Sequence, residues 1–238
     1  MNSSIQAAFF DLDGTLLNTL QDLASSMNEV LEHQGCPQHS VQSYRAFIGD
    51  GVHMLVHRAL PERMRSQDTV QACVQAFRET YARRWQESTQ PYPGIKGLLQ
   101  ALDEQSIHLG VVTNKPHDSA VACIQAYFPQ VPFRVIVDQA EGIPPKPDPT
   151  ALIQAMRACG TAAERCVYIG DSGVDVLAGQ RAGALAVGAA WGFRSRQELV
   201  EHGADHVLEA PLDFLRILEG GHARLPSSRK REAQGWLG

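Results

Sequence analysis

The stretch Phe9-Phe10-Asp11-Leu12-Asp13-Gly14-Thr15 decides how this chain is read. The apolar run 7–10 predicts a short buried strand. It stops at two carboxylates two residues apart, and the chain then turns at Gly14. A soluble protein rarely places acids on the lip of its core unless a cation or a reaction uses them. Paired carboxylates in this position suit a divalent metal and an in-line attack on phosphorus.

Working outward, residues 19–34 carry apolar side chains at Leu20, Leu23, Ala24, Met27, Val30 and Leu31, a helical spacing. Val52, Leu55, Val56 and Ala59 repeat it, and so do Val70, Cys73, Val74, Phe77, Tyr81 and Trp85. No strand-like alternation intervenes, so residues 18–88 predict an all-helical unit inserted after the first strand. Pro91-Tyr92-Pro93-Gly94 marks its end. Beyond it, helices near 95–105, 120–127, 149–158 and 174–182 alternate with strands near 109–113, 133–137, 166–169, 184–189 and 205–208. The expected fold class is therefore α/β: a Rossmann-like core of residues 1–17 and 89–219 around a mostly parallel sheet, with a helical cap at 18–88. Residues 220–238 read as a loose tail. Its run Arg229-Lys230-Arg231 is shorter than the usual basic recognition pattern and is expected to be solvated.

Composition sets bounds. The 238 residues suffice for one large domain or a core with an insert. A hydrophobic share of 44% and a charged share of 20% are those of an ordinary globular protein. No run approaches the roughly 20 apolar residues of a membrane span. The N-terminus lacks a basic region before its apolar stretch, so no secretory leader is expected. The formal charge of −5 argues against a nucleic-acid surface. The five cysteines form no C-x-x-C pair. Cytoplasmic location is the expectation from these absences. His53 and His57 share a helix face but lack the further ligands that zinc needs. Nothing in the sequence decides the oligomeric state.

Open parallel sheets bind ligands outside the carboxyl ends of their strands. The strand reading sends Asp11, Asp13, Thr113, Asn114, Lys146 and Asp171 to that edge, with Asp175 on the helix that follows. Asp11 is the expected nucleophile, since an ionised carboxylate can attack phosphorus and divide a hard hydrolysis into two steps. A phosphate dianion must be screened from it, and Asp11, Asp171 and the backbone carbonyl of Asp13 can hold a magnesium ion for that purpose. Asp13 is free to act as general acid and then base. The Thr113 hydroxyl and the backbone N–H groups of Leu12 and Asn114 can donate to phosphoryl oxygens. Lys146 adds positive charge. Asp175 is expected to orient Lys146 or a metal-bound water. Taken singly, each residue has an ordinary reading: Asp11 as a turn residue, Asp13-Gly14 as a turn, Lys146 as a loop charge, Asp171 as a helix cap. Their convergence on several strand ends favours the functional one.

The motifs FFDLDGTLLNT (9–19), VVTNK (111–115), KPDP (146–149) and YIGDSGVDVLAGQRAG (168–183), in this order, resemble those of haloacid dehalogenase superfamily phosphatases. The likeness is to the phosphoglycolate phosphatase-like branch with a small helical cap, and it covers residues 7–218. It implies Asp11 as nucleophile, Asp13 as acid and base, Thr113 and Lys146 at the phosphate, and Asp171 as a magnesium ligand with Asp175 as its companion acid. The second aspartate of DLDGT counts against a dehalogenase, and no cap lysine marks a phosphonatase. The cap stretch FIGDGVHMLVHRAL (47–60) is similar to that of phosphoglycolate phosphatases. Arg58 within it is expected to read a substrate carboxylate, against the plainer reading of a surface arginine. The implied activity is hydrolysis of a small phosphorylated metabolite, 2-phosphoglycolate first. A sugar phosphate, N-acetylmuramate 6-phosphate, a nucleotide or pyrophosphate are the alternatives. A phosphosugar mutase is less favoured, and a non-catalytic phosphate-binding module is the reading of another class.

Overall fold

A computed structural model describes residues 5–138 and 142–219. The expected tail, with its basic run at 229–231, lies outside them.

The chain begins with β1 (Ala7–Phe10) and a two-residue β2 (Leu17–Asn18). Four helices follow: α1 (Leu20–His33), α2 (Val41–Phe47), α3 (Val52–Ala59) and α4 (Gln67–Arg84). The return passes through β3 (Gln90–Pro91), α5 (Ile95–Glu104), β4 (His108–Val112), α6 (His117–Tyr127), β5 (Phe133–Val137) and α7 (Thr150–Ala158). It closes with β6 (Cys166–Gly170), α8 (Gly173–Arg181), β7 (Leu185–Ala189), α9 (Arg196–Glu201), β8 (His206–Leu208) and α10 (Asp213–Glu219).

Six strands form one sheet in the order β5-β4-β1-β6-β7-β8, and every pairing in it is parallel. Helices cover both faces, so β1, β6 and β7 are buried at every residue. That is why they read as unbroken apolar runs rather than alternating ones. Successive side chains still point to opposite faces. Ala8 and Phe10 join a cluster with Leu98, Val111 and Ile169, while Ala7 and Phe9 join another with Leu152, Tyr168 and Ala178. The strand order reverses direction at β1, and β1 releases Asp11 at its carboxyl end between β4 and β6.

Helices α1 to α4 have a hydrophobic cluster of their own, built on Leu23, Met27, Leu31, Leu55, Phe77 and Tyr81. Ser66 starts α4 by accepting the Thr69 N–H at 3.3 Å, the usual N-cap arrangement. The chain leaves and re-enters the sheet region through the antiparallel pair β2–β3. Beside that pair, the buried Asp22 carboxylate accepts from Ser88 N–H (3.1 Å), Thr89 N–H (2.9 Å) and the Thr89 hydroxyl (2.7 Å). Further bonds tie α2 and the α2–α3 turn across to the sheet edge. Arg45 donates to the Gly192 carbonyl (2.9 Å), Arg194 to that of Ile48 (3.0 Å) and Asn114 to that of Gly49 (3.0 Å).

Candidate active site

Asp11 leaves β1 buried, with its backbone N–H on the Ile169 carbonyl (2.9 Å). Lys146 reaches it from the loop before α7, with Nζ at 2.8 Å from Asp11 Oδ1. The same ammonium lies 2.6 Å from Asp175 Oδ1 and 3.0 Å from the Tyr168 hydroxyl. Burial opposes its charge, but the Asp11 and Asp175 carboxylates outweigh that and raise the Lys146 pKa above the ordinary range. Burial lifts the Asp11 carboxyl to about 6, against the pull of Lys146, with Asp175 and Asp13 adding to the rise. Asp11 Oδ1 contacts Lys146 as an ion pair without a well-angled hydrogen bond.

Asp175 sits in the first turn of α8. Its Oδ2 accepts from Ser172 N–H (3.1 Å) and from the Ser172 hydroxyl (2.5 Å). One carboxylate thus caps a helix with one oxygen and holds Lys146 with the other. Asp175 was expected to orient Lys146 or a metal-bound water, and the structure places its Oδ1 2.6 Å from Lys146 Nζ.

Asp171, at the end of β6, accepts the Phe193 N–H at 2.6 Å and a long contact from the Thr15 hydroxyl at 3.4 Å. No cation touches it among the described residues. Burial pushes its carboxyl well above the usual carboxylate range, Asp175 and Asp11 push it further, and Phe193 N–H and Lys146 pull the other way. Two glycines make room for it. A Cβ on Gly14 (φ +86°) would stand 2.3 Å from Asp171 Oδ2, and one on Gly192 would stand 2.2 Å from Asp171 Cβ.

Ligand atoms of Asp11, Asp171 and Asp175 lie within 4.8 Å of one another, and all three residues are buried. Among the described residues only Lys146 balances this group, which leaves Asp171 with neutral donors alone. An all-oxygen set with excess negative charge fits a small hard divalent cation such as magnesium. The Asp13 carboxylate stands apart from the group. Lys115 Nζ grips both its oxygens (3.0 and 3.1 Å), and the Thr19 hydroxyl donates at 2.8 Å. His53 and His57 belong to no metal-binding group among the described residues.

A cavity of about 360 Å³ opens over Asp11 and Asp13 and is lined also by Thr113, Asn114 and Lys115. The Thr113 oxygen accepts the Lys115 N–H (3.2 Å), which leaves its hydroxyl hydrogen free to donate. The Asn114 side chain accepts the Lys146 N–H (2.9 Å), fixing the lysine loop against β4. Among the described residues, the backbone N–H groups of Leu12 and Asn114 have no protein acceptor.

The structure therefore brings together Asp11, Asp13, Leu12, Thr113, Asn114, Lys146, Asp171 and Asp175. It does not bring Arg58 to them. Arg58 Nη2 is 2.5 Å from Asp50 Oδ2, its Nη1 donates to the Phe47 carbonyl at 3.2 Å, and it does not line the cavity. The sequence reading missed Lys115 and the Gly192–Phe193 turn. Lys115 had a signal, because it follows Thr113 and Asn114 at a strand end. The turn after β7 had none.

The profile of the haloacid dehalogenase-like hydrolases matches residues 8–189. The chain belongs to this family. Within it, the chain is 32% identical to the phosphoglycolate phosphatase of Pseudomonas putida, over 90% of this chain and 78% of that one. It is 31% identical to the phosphoglycolate phosphatase of Mannheimia succiniciproducens, over 92% of this chain and all of that one (100%). The solved structure of a predicted phosphoglycolate phosphatase from Haemophilus somnus superposes with a TM-score of 0.82 at 27% identity, covering 90% and 97% of the two chains. A haloacid dehalogenase-like hydrolase from Streptococcus pneumoniae superposes at 0.76 with 25% identity, covering 91% and 99%. The α/β architecture expected from the sequence is thus that of the family. The chain sits in its phosphoglycolate phosphatase-like branch.

Proposed function

We propose that this hydrolase is a magnesium-dependent phosphomonoesterase that works through an aspartyl-phosphate on Asp11, with 2-phosphoglycolate as its first candidate substrate. The observation that carries the reading is one buried carboxylate, Asp11, facing a cavity that Thr113, with its hydroxyl hydrogen free, and Asn114, with its backbone N–H unpaired, also line, the unpaired Leu12 N–H following Asp11 in the chain. A phosphoryl group placed there has its oxygens answered by Thr113, Leu12 N–H and Asn114 N–H, and its charge by Lys146.

Asp11, Asp171 and the Asp13 carbonyl would hold magnesium, which would supply positive charge to offset the repulsion between the Asp11 carboxylate and a phosphate. Asp11 attacks phosphorus, the bond to the ester oxygen breaks, and Asp13 gives a proton to the leaving alkoxide. Asp13 then takes a proton from water, whose oxygen attacks the phosphorus of the aspartyl-phosphate. Phosphate leaves, and the Asp11 carboxylate is restored. Proton delivery requires Asp13 to turn from Lys115, which occupies both its oxygens. We take α1 to α4 as a cap that keeps bulk water from the acyl phosphate.

The substrate choice is supported by the names of the similar proteins and by the cavity, which lies at the small end of ligand pockets, about 300–1,000 Å³. The test is phosphate release with and without magnesium on 2-phosphoglycolate, N-acetylmuramate 6-phosphate, hexose phosphates, nucleotides and pyrophosphate. The expected result is metal-dependent turnover that favours phosphoglycolate and is lost in a folded Asp11→Asn variant. Turnover retained by that variant sinks the nucleophile assignment. Preference for another ester keeps the chemistry and discards the substrate.

A further inference from the structure

The cavity wall holds two cationic side chains, Lys115 and Arg78, and they differ in availability. Lys115 is committed to Asp13 and to the Tyr81 hydroxyl (2.9 Å). Arg78, on α4, is exposed and makes no hydrogen bond or ion pair among the described residues. Its helix neighbours behave differently: Arg83 and Arg84 both pair with Glu29, and Arg84 also with Glu87. Arg58, the arginine that the sequence singled out, is paired with Asp50.

The surroundings of Arg78 indicate what it waits for. The wall that α3 and α4 contribute is otherwise apolar where Val52, Leu55 and Phe77 line it. Apolar neighbours screen a charge poorly, so an anion placed there meets a stronger field than in water. The phosphoryl group already has Lys146, Thr113 and two N–H donors, so Arg78 is surplus to it. Asp118, from α6, also lines the cavity and repels a second anion. The attractive end for that anion is therefore on α4.

We propose that Arg78 is the specificity-determining residue of this site, binding a carboxylate on the leaving group through its planar fork. The substrates are then phosphate esters of short hydroxy acids. The proposal rests on the phosphatase reading given above and names the residue that selects its substrate.

The test compares 2-phosphoglycolate with ethyl phosphate, which has the same two-carbon ester and no carboxylate. Wild type, Arg78→Ala and Arg83→Ala are assayed with magnesium, with circular dichroism to check folding. Wild type should prefer phosphoglycolate. Arg78→Ala should shrink the ratio of the two kcat/KM values by about 10- to 100-fold, the effect of one charge-assisted hydrogen bond. Arg83→Ala should leave the ratio alone. A ratio within about threefold of wild type in Arg78→Ala, or an equal loss on both esters, overturns the role of Arg78 while leaving a working phosphatase. Absence of turnover by wild type on every ester overturns the phosphatase reading, and this inference with it.

Discussion

Asp175 and Asp171 are both buried acids of the same cluster, yet replacement by asparagine should lower stability at Asp175 and leave it unchanged or slightly raised at Asp171. Asp175 accepts from three donors, Lys146 Nζ on one oxygen and Ser172 N–H with its hydroxyl on the other, and the Tyr168 hydroxyl, whose one hydrogen also faces the Val112 carbonyl at 2.8 Å, lies 3.1 Å away. An amide has one acceptor oxygen. Aimed at Lys146, it puts an NH₂ against the Ser172 N–H; reversed, it puts that NH₂ against an ammonium. Breaking a buried ion pair by removing one partner costs about 3–5 kcal/mol. Relief of repulsion from Asp11 and Asp171 offsets part of this, and Lys146 keeps Asp11 at 2.8 Å, so about 3 kcal/mol is the expected net loss. For a chain of this size that is roughly a 6–12 °C fall in Tm. Asp171 has only neutral donors, one of them 3.4 Å away, and its neutral form is favoured by burial. Asp171→Asn should therefore melt at or slightly above wild type. Thermal unfolding followed by circular dichroism, in chelator at neutral pH, measures both without any metal contribution. If Asp175→Asn melts at or above wild type, repulsion dominates at Asp175, and its role as the anchor of Lys146 is wrong.

Other perturbations reach different parts of the molecule. Asp11→Asn should abolish phosphate release while keeping the wild-type circular dichroism spectrum, and chelation of magnesium should reproduce that loss in wild type. His117 Nδ1 lies 2.5 Å from Asp138 Oδ2, and the hydrogen bond and charge of Asp138 raise its pKa above the ordinary value, with burial opposing and Asp118 adding slightly. A group whose folded pKa is raised stabilises below its unfolded pKa and loses that effect as pH rises through the folded one. The stability advantage of wild type over His117→Gln should therefore be present at mildly acid pH and fade above neutrality. An NMR titration should give a His117 pKa above 6.5 that returns toward it in Asp138→Asn, and a value at or below 6.5 in wild type refutes the pairing.

What was legible in the sequence follows from local pattern. The run at 7–10 was recovered residue for residue because a buried parallel strand is an unbroken apolar stretch with polar or turn residues at its ends, and 133–137, an edge strand with Arg134 exposed, was recovered from its aromatic and β-branched residues. The long helices were recovered because their apolar stripes span several turns. Helix α2 escaped because Tyr44 is its one buried residue, too little for a period. The β2–β3 pair escaped because a two-residue strand has no pattern. At the site, Asp11, Thr113, Lys146 and Asp171 could be placed by the rule that ligands gather at strand ends. The partner of Arg58 could not, since nothing in the composition ranks Asp50, eight residues earlier, above a substrate. Lys115 was passed over for a related reason: its contact with Asp13 spans 102 residues of sequence.

Lys115 shows how the helical segment and the sheet edge are joined at Asp13. Its Nζ touches Asp13 from the β1 turn and Tyr81 from α4, and it lies 4.6 Å from the centre of the Tyr81 ring. Burial opposes its charge, but Asp13 outweighs that and, with Tyr81, raises its pKa above the ordinary lysine range. Any shift of α4 away from the sheet must therefore strip Lys115 of one partner and leave Asp13 the other. Two substitutions separate the contacts. Tyr81→Phe removes only the hydroxyl and keeps the ring with its stack on Phe77, so it should cost about 1.5–3 kcal/mol and change kcat less than tenfold. Lys115→Met removes the grip on Asp13, whose side chain is 15% exposed, so its cost should fall near the low end of the buried-pair range, about 3 kcal/mol. Its kcat should drop by about two orders of magnitude with KM little changed, the mark of a lost transition-state contribution rather than lost binding. The double variant should cost less than the two single losses together, since the Tyr81 hydroxyl has no ammonium left to accept from once Lys115 is replaced. Strict additivity, or a Lys115→Met enzyme with wild-type kcat, means that Lys115 only fills space between α4 and the sheet.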